Sequence, residues 1–184
     1  MTPAAFVERL AATRIGRTFN QYADGPRAPL LRARLVEYLE RRSAARVVLV
    51  GEAAGFRGAR ISGIPMTSER QLARTGPAEA TASVVHRVLA ELALEEHVLL
   101  WNVVPTHPGT PRSNRRPTRA EMDAAAPFLA ELATGRKTVA VGRLAESRLG
   151  GPSVRHPSHG GAREFRAGLL ELRDRGELVL SRPT

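Results

Sequence analysis

Short apolar runs alternate with stretches of helical periodicity along this chain. Val47 to Val50 is a continuous apolar run, mostly β-branched, and predicts a strand buried on both faces. His97-Val-Leu-Leu-Trp-Asn-Val-Val-Pro105 predicts a second, interrupted only by Asn102. Lys137–Val141 predicts a third strand and Pro152–Arg155 a brief fourth. Between them the apolar positions recur every three to four residues. Pro3–Thr13 places Phe6, Val7 and Leu10 on one face, and Leu30–Arg42 is apolar at 31, 35, 36 and 39. Thr67 or Ser68 caps a short helix through Arg74, which Gly76-Pro77 ends. Ala78–Leu94 turns Val84, Val85, Val88, Leu89 and Leu92 inward, with His86 a surface or satisfied residue. Thr118-Arg-Ala-Glu121 is a capping box for a helix to Ala133, which Pro127 should kink or split. Gly142–Leu149 and Ala162–Asp174 complete the helices, and Glu177–Leu180 is a minor edge strand or tail. Phe56–Thr67 is too irregular for either class and predicts a functional loop.

Strands alternating with helices imply parallel βαβ units. The expected fold is α/β, a three-layer α/β/α sandwich around a four-stranded parallel sheet, with residues 1–184 forming one domain. In such sheets ligands bind beyond the carboxyl ends of the strands. The loops at 51–67, 102–117 and 155–163 would converge there and bring Glu52, Asn102 and His156 together. Gly51, Ala53, Ala54 and Gly55 leave room for a ligand to approach the backbone. A buried Asn102 must find several hydrogen bonds, either from neighbouring backbone or from a ligand. Phe19 and Tyr22, in a loop rich in turn formers, pack on the core or line a groove.

Charge narrows the partners. The chain carries 28 Lys and Arg against 18 Asp and Glu, a formal net charge of +10, and Lys137 is its single lysine. Arginine's planar fork suits phosphate, so nucleic acid is a natural partner. The alternative is a compositional bias towards arginine. Arg112, Arg115 and Arg116 lie among prolines in one loop, where they are either solvated or placed for phosphate. The chain has no cysteine, which excludes disulfides and thiolate-bound metals. The start is amphipathic and carries Glu8 and Arg9, and no apolar run approaches the roughly 20 residues of a membrane helix. A cytoplasmic, membrane-free protein is expected. Neither a P-loop nor a GxGxxG follows the first strand, and no Gly-x-Ser-x-Gly elbow is present. His156 and His159 stand without further ligands nearby in sequence, so no metal and no cofactor are expected.

Taken in order, three segments resemble the uracil-DNA glycosylase superfamily. Gly51-Glu-Ala-Ala-Gly55 is similar to the GEAPG motif of its bacterial and archaeal branch, and Gly63-Ile-Pro-Met66 to that branch's G-x-P-F. Asn102-Val-Val-Pro105, with Asn114-Arg115 and Pro117, resembles its N-V-V-K and N-R-x-P segments. His156-Pro-Ser158 is similar to the H-P-S motif. The resemblance spans roughly 46 to 172.

This resemblance implies a monomeric repair enzyme that flips uracil out of single- or double-stranded DNA and hydrolyses its glycosidic bond. It implies Glu52 and His156 as catalytic residues. Gly51, Ala53, Ala54, Gly55, Met66 and Asn102 would hold the base, with backbone N–H groups around Ala53 and Ala54 completing the pocket. Arg112, Arg115, Ser158, His159 and Arg163 would meet DNA. The departures are specific. The four cysteines that usually hold an iron–sulfur cluster in this branch are missing, Ala54 replaces the motif proline, and Met66 replaces the stacking phenylalanine. The better-known branch has an acid at the position of Ala53 and a methyl-blocking tyrosine at that of Gly55. Phe56 and Ile61 are then the candidates for excluding thymine. His159-Gly160-Gly161 replaces an apolar wedge, leaving Arg163 to plug the emptied duplex. A glycosylase for another deaminated or mismatched base, and a nucleic-acid-binding protein without turnover, are the alternatives.

Overall fold

A computed structural model describes residues 2–178. The chain runs α1 (Pro3–Ala12), α2 (Ala28–Arg41), β1 (Val47–Ala53), α3 (Ala59–Ser62), α4 (Glu69–Ala73), α5 (Ala80–Glu91) and β2 (Val98–Val104). It continues through α6 (Arg119–Ala133), β3 (Lys137–Val141), α7 (Arg143–Leu149), β4 (Ser153–Val154) and α8 (Ala162–Asp174). The four strands form one parallel sheet in the order β2-β1-β3-β4 between helical layers, the expected α/β sandwich.

The strand order explains where a site can form. From β1 the chain crosses to β2 on one side, then returns past β1 to β3 and β4 on the other. Connections leaving β1 and its neighbours diverge at that point, which opens a crevice at the carboxyl end of β1. Val47–Val50 and Val98–Val104 are fully buried, as strands covered on both faces must be. Trp101 lies deep in the core, where Phe6 of α1 meets it edge-on at 5.6 Å between ring centroids. Phe6 also meets Phe128 of α6 at 5.6 Å, so one aromatic cluster joins α1, α6 and β2.

Several boundaries differ from the sequence expectation. β1 continues three residues past its apolar run because Gly51 and Ala53 pair with Asn102 and Val104 of β2. The loop after Gly55 contains the single turn α3, which Gly63 stops in the left-handed conformation (φ 79°). Pro127 does not split α6: it lies on an exposed face, where water can serve the Asp123 carbonyl that proline cannot. Tyr22 packs in the core and donates to the Gly63 carbonyl at 2.8 Å. The strand or tail expected over Glu177–Leu180 lies partly outside the described residues; within them, Leu178 is buried.

Candidate active site

At the carboxyl end of β1 a cavity of about 310 Å³ opens. Its walls come from the first loop (Gly51, Glu52, Ala53, Ala54, Gly55 and Met66), from β2 and the loop beyond it (Asn102, Pro108, Asn114 and Arg115), and from the loop after β4 (His156, Ser158 and His159). Glu79 and Thr81, at the start of α5, close it. Eleven of the thirteen expected site residues therefore meet on one hollow. Arg112 and Arg163 do not line it; both are exposed.

The parallel register sets Gly51 beside Asn102. A Cβ on Gly51 would lie 2.8 Å from Asn102 Oδ1 and 3.1 Å from Met66 Sδ, so only glycine lets these two side chains converge. Asn102 is 2 % exposed, yet its side chain makes no hydrogen bond among the described residues. A buried amide normally finds partners; here its donors and acceptor face the cavity instead. Met66 holds a left-handed backbone (φ 49°), a costly conformation for a side chain of its size. The turn is fixed around it: Ser62 donates to the Thr67 carbonyl at 2.7 Å, and Thr67 Oγ1 lies 3.0 Å from the Pro65 carbonyl and 2.9 Å from His86 Nε2. His86 is thus a satisfied residue that braces the turn carrying Met66.

His156 packs against Gly142 (φ 87°), where a Cβ would lie 2.9 Å from that of His156. The Ser158 backbone N–H donates to His156 Nδ1 at 3.2 Å, and the Ser158 hydroxyl lies 2.7 Å from the same nitrogen. Nδ1 is therefore an acceptor and the ring proton resides on Nε2. Burial, with Arg155 and His159 nearby, pushes the His156 pKa below its ordinary value, which favours the neutral ring. A neutral imidazole presenting Nε2–H is a hydrogen-bond donor that costs no buried charge.

Two carboxylates line the cavity. Glu52 is pushed up by burial, partly offset by Arg116. Glu79 is pushed up by burial alone. Neither side chain has a hydrogen-bond or ion-pair partner among the described residues. Around them the backbone is held firmly. Ala54 N–H donates to the Val104 carbonyl at 3.2 Å, and the Ala54 carbonyl lies 2.7 Å from Nδ1 of the fully buried His107. The Ala54 N–H, expected to face the pocket, is thereby committed to the sheet. Phe56 N–H donates to Asn114 Oδ1 at 2.9 Å, tying the first loop to the loop beyond β2. Arg115 makes a bidentate pair with Glu121, at 2.8 and 2.6 Å. Glu121 also caps α6 through Thr118 N–H at 2.8 Å, and the pairing with Arg115 holds its carboxyl down at about 2.

Glu79 and Thr81 were not among the expected site residues, because the start of α5 has the pattern of an ordinary helix. Asn114 belonged to a recognised segment without an assigned role. Phe56 and Ile61, the candidates for a methyl clash, do not line the cavity. The resembling branch's iron–sulfur cluster does not fit this chain, which offers no cysteine to bind one. Among the described residues no three histidine or carboxylate side chains gather as a metal site.

Comparison with known proteins agrees with this fold. The family model of the uracil DNA glycosylase superfamily matches residues 40–179, and the chain belongs to that superfamily. Membership defines its class as a DNA glycosylase. Among solved structures, wild-type SMUG2 of Pedobacter heparinus is similar, with a TM-score of 0.64 at 12 % identity. That match covers 95 % of this chain and 99 % of the other, and it shows a shared fold. No curated protein matches the chain.

Proposed function

We propose that this glycosylase excises uracil from DNA, with the free amide of Asn102 as its reader. The observation that carries the proposal is a buried asparagine whose side chain has no hydrogen-bond partner among the described residues and lines a base-sized hollow. Uracil offers an N3–H donor and an O4 acceptor side by side. The Asn102 amide complements both, accepting through Oδ1 and donating through Nδ2. Cytosine reverses both groups and leaves the amide mispaired. A site built on such bonds discriminates by ~10⁴ or more.

The base must leave the duplex to reach this position, which favours single-stranded or mispaired uracil. Met66 then lies against the ring face, its thioether a soft surface for a flat base. Breaking the N1–C1′ bond leaves the bonding electrons on uracil, with charge building on O2. His156 Nε2–H donates to that oxygen, and one such donor is worth about 3–4 kcal/mol. Water adds to C1′ of the cation-like sugar as Glu52 takes its proton. Uncharged His156 avoids placing a second cation in the pocket, and Ser158 keeps its donor aimed. The surrounding arginines meet the backbone phosphates.

The test is a labelled oligonucleotide bearing one uracil, single-stranded or opposite guanine or adenine, treated with alkali after incubation. Scission at the uracil supports the proposal. Scission only at hypoxanthine, xanthine or a mismatched thymine assigns another base, and retarded migration without scission assigns a binding protein.

A further inference from the structure

Hydrogen bonds to N3 and O4 do not separate uracil from thymine, because the two bases present the same edge there. They differ only by the methyl at C5, and thymine is abundant in DNA. A uracil-specific pocket must therefore close on C5 with a wall that a methyl cannot enter. The expected residues of the first loop supply no such wall: Gly55 has no side chain, and Phe56 and Ile61 do not line the cavity.

The space is nonetheless filled. A Cβ built on Gly55 would overlap Oε1 of Glu79, and one built on Gly58 would overlap Oε2 of the same carboxylate. Neither glycine has a positive φ; with no side chain at either position, the Glu79 carboxylate fills the space beside both. Glu79 takes the N-cap position of α5 but makes no side-chain cap hydrogen bond. Its carboxylate instead reaches over the two glycines into the wall of the cavity. Glu79 begins the crossover helix between β1 and β2, while His156 approaches from beyond β4, at the opposite edge of the sheet. With O4 read by Asn102 and O2 by His156, C5, which lies across the ring from C2, is turned away from His156 and towards the side of that crossover.

We propose that Glu79 is the residue that excludes thymine: its carboxylate, seated over Gly55 and Gly58, occupies the space a C5 methyl requires. This inference rests on the uracil reading above. A carboxylate rejects a methyl in two ways. It fills the volume, and a methyl pressed against it strips water from an anion that has no partner among the described residues. The C5–H of uracil is smaller and leaves that water in place. Burial of the group, which raises its pKa, fits a carboxylate already short of solvent.

The experiment measures single-turnover release from single-stranded oligonucleotides carrying uracil, 5-fluorouracil, 5-bromouracil or thymine. The proteins are the wild type, Glu79→Ala and Glu79→Asp, each checked for a cooperative thermal transition. The wild type is expected to release uracil and 5-fluorouracil and to reject the two bulkier bases. In Glu79→Ala the ratio of thymine to uracil release should rise by roughly 10–200-fold, the range for one methyl-sized group. Glu79→Asp, with its carboxylate retracted by one methylene, should give a smaller rise in the same ratio. A wild type that releases uracil, together with variants whose thymine-to-uracil ratio is unchanged, overturns the role of Glu79 alone. A wild type that releases no uracil overturns the uracil reading itself.

Discussion

Substitution of Gly51 by alanine tests the packing that brings the base-reading groups together. The new methyl would sit 2.8 Å from Asn102 Oδ1, 3.1 Å from Met66 Sδ and 3.4 Å from Met66 Cγ. Ordinary contact begins near 3.4 Å, so the amide oxygen must retreat by about 0.6 Å. Asn102 is anchored in the fully buried strand β2, where it pairs with Gly51 of β1, and its backbone cannot move far. Met66 is the more yielding neighbour, but its turn is fixed by Ser62 and Thr67. Productive geometry tolerates about 0.5 Å, and a 1 Å misplacement can cost ~10² in rate. Gly51→Ala should therefore lose about 10–100-fold in kcat/KM on a uracil oligonucleotide. Overpacking should also cost about 1–3 kcal/mol of stability, a loss a folded domain of this size can absorb. The assay pairs single-turnover kinetics with urea denaturation and with affinity for an abasic-site duplex, which needs no base in the pocket. Wild-type kcat/KM in a folded Gly51→Ala protein would refute the convergence of Gly51, Asn102 and Met66 on the substrate.

Replacing His156 by alanine removes the donor to O2 and should slow cleavage by ~10²–10³, while DNA affinity measured by fluorescence anisotropy stays near that of the wild type. The acid limb of the pH–rate profile should follow the carboxylates: Glu52 is pushed up by burial, so its base form is lost as pH falls through a value above the ordinary one. His156 is pushed the other way and stays neutral below the usual imidazole range, so Glu52→Gln should remove the acid limb whereas Ser158→Ala should leave it. Glu121 tests the scaffold. Its folded pKa of about 2 lies below its ordinary value of 4.5, so its stabilisation is fully present above that value and lost as pH falls towards 2. The shift corresponds to about 3 kcal/mol, so Glu121→Gln should lower stability at neutral pH by roughly that amount and flatten its acid dependence in urea titrations.

Much of the fold was legible because its signals are local. Apolar runs, one ended by Gly51 and the other running to Pro105, marked β1 and β2, and the capping box of Thr118 and Glu121 marked the start of α6. The extension of β1 through Ala53 was not legible, since Gly51 and Ala53 have no strand propensity of their own and pair only because β2 lies beside them. The cavity was anticipated through three separated segments, which the parallel topology brings to one edge. Glu79 escaped notice for the opposite reason. Nothing within its own helix distinguishes it, and its position is defined by two glycines more than twenty residues earlier in the chain. Arg115 was expected as a phosphate ligand from its charge; its bidentate partner Glu121 emerges only once the loop is folded against α6.

Selection of uracil rests above all on the amide of Asn102 recognising the base. The direct measurement is the release of uracil against cytosine, from otherwise identical single-stranded oligonucleotides, by the wild type and by Asn102→Asp. The substitution keeps the shape of the side chain and replaces the N–H donor facing O4 with an oxygen. The wild type should favour uracil by ~10⁴ or more, and in Asn102→Asp uracil release should fall while cytosine release rises, narrowing the preference by at least ~10². A preference that survives unchanged in a folded Asn102→Asp protein would contradict the reading of the base by this residue.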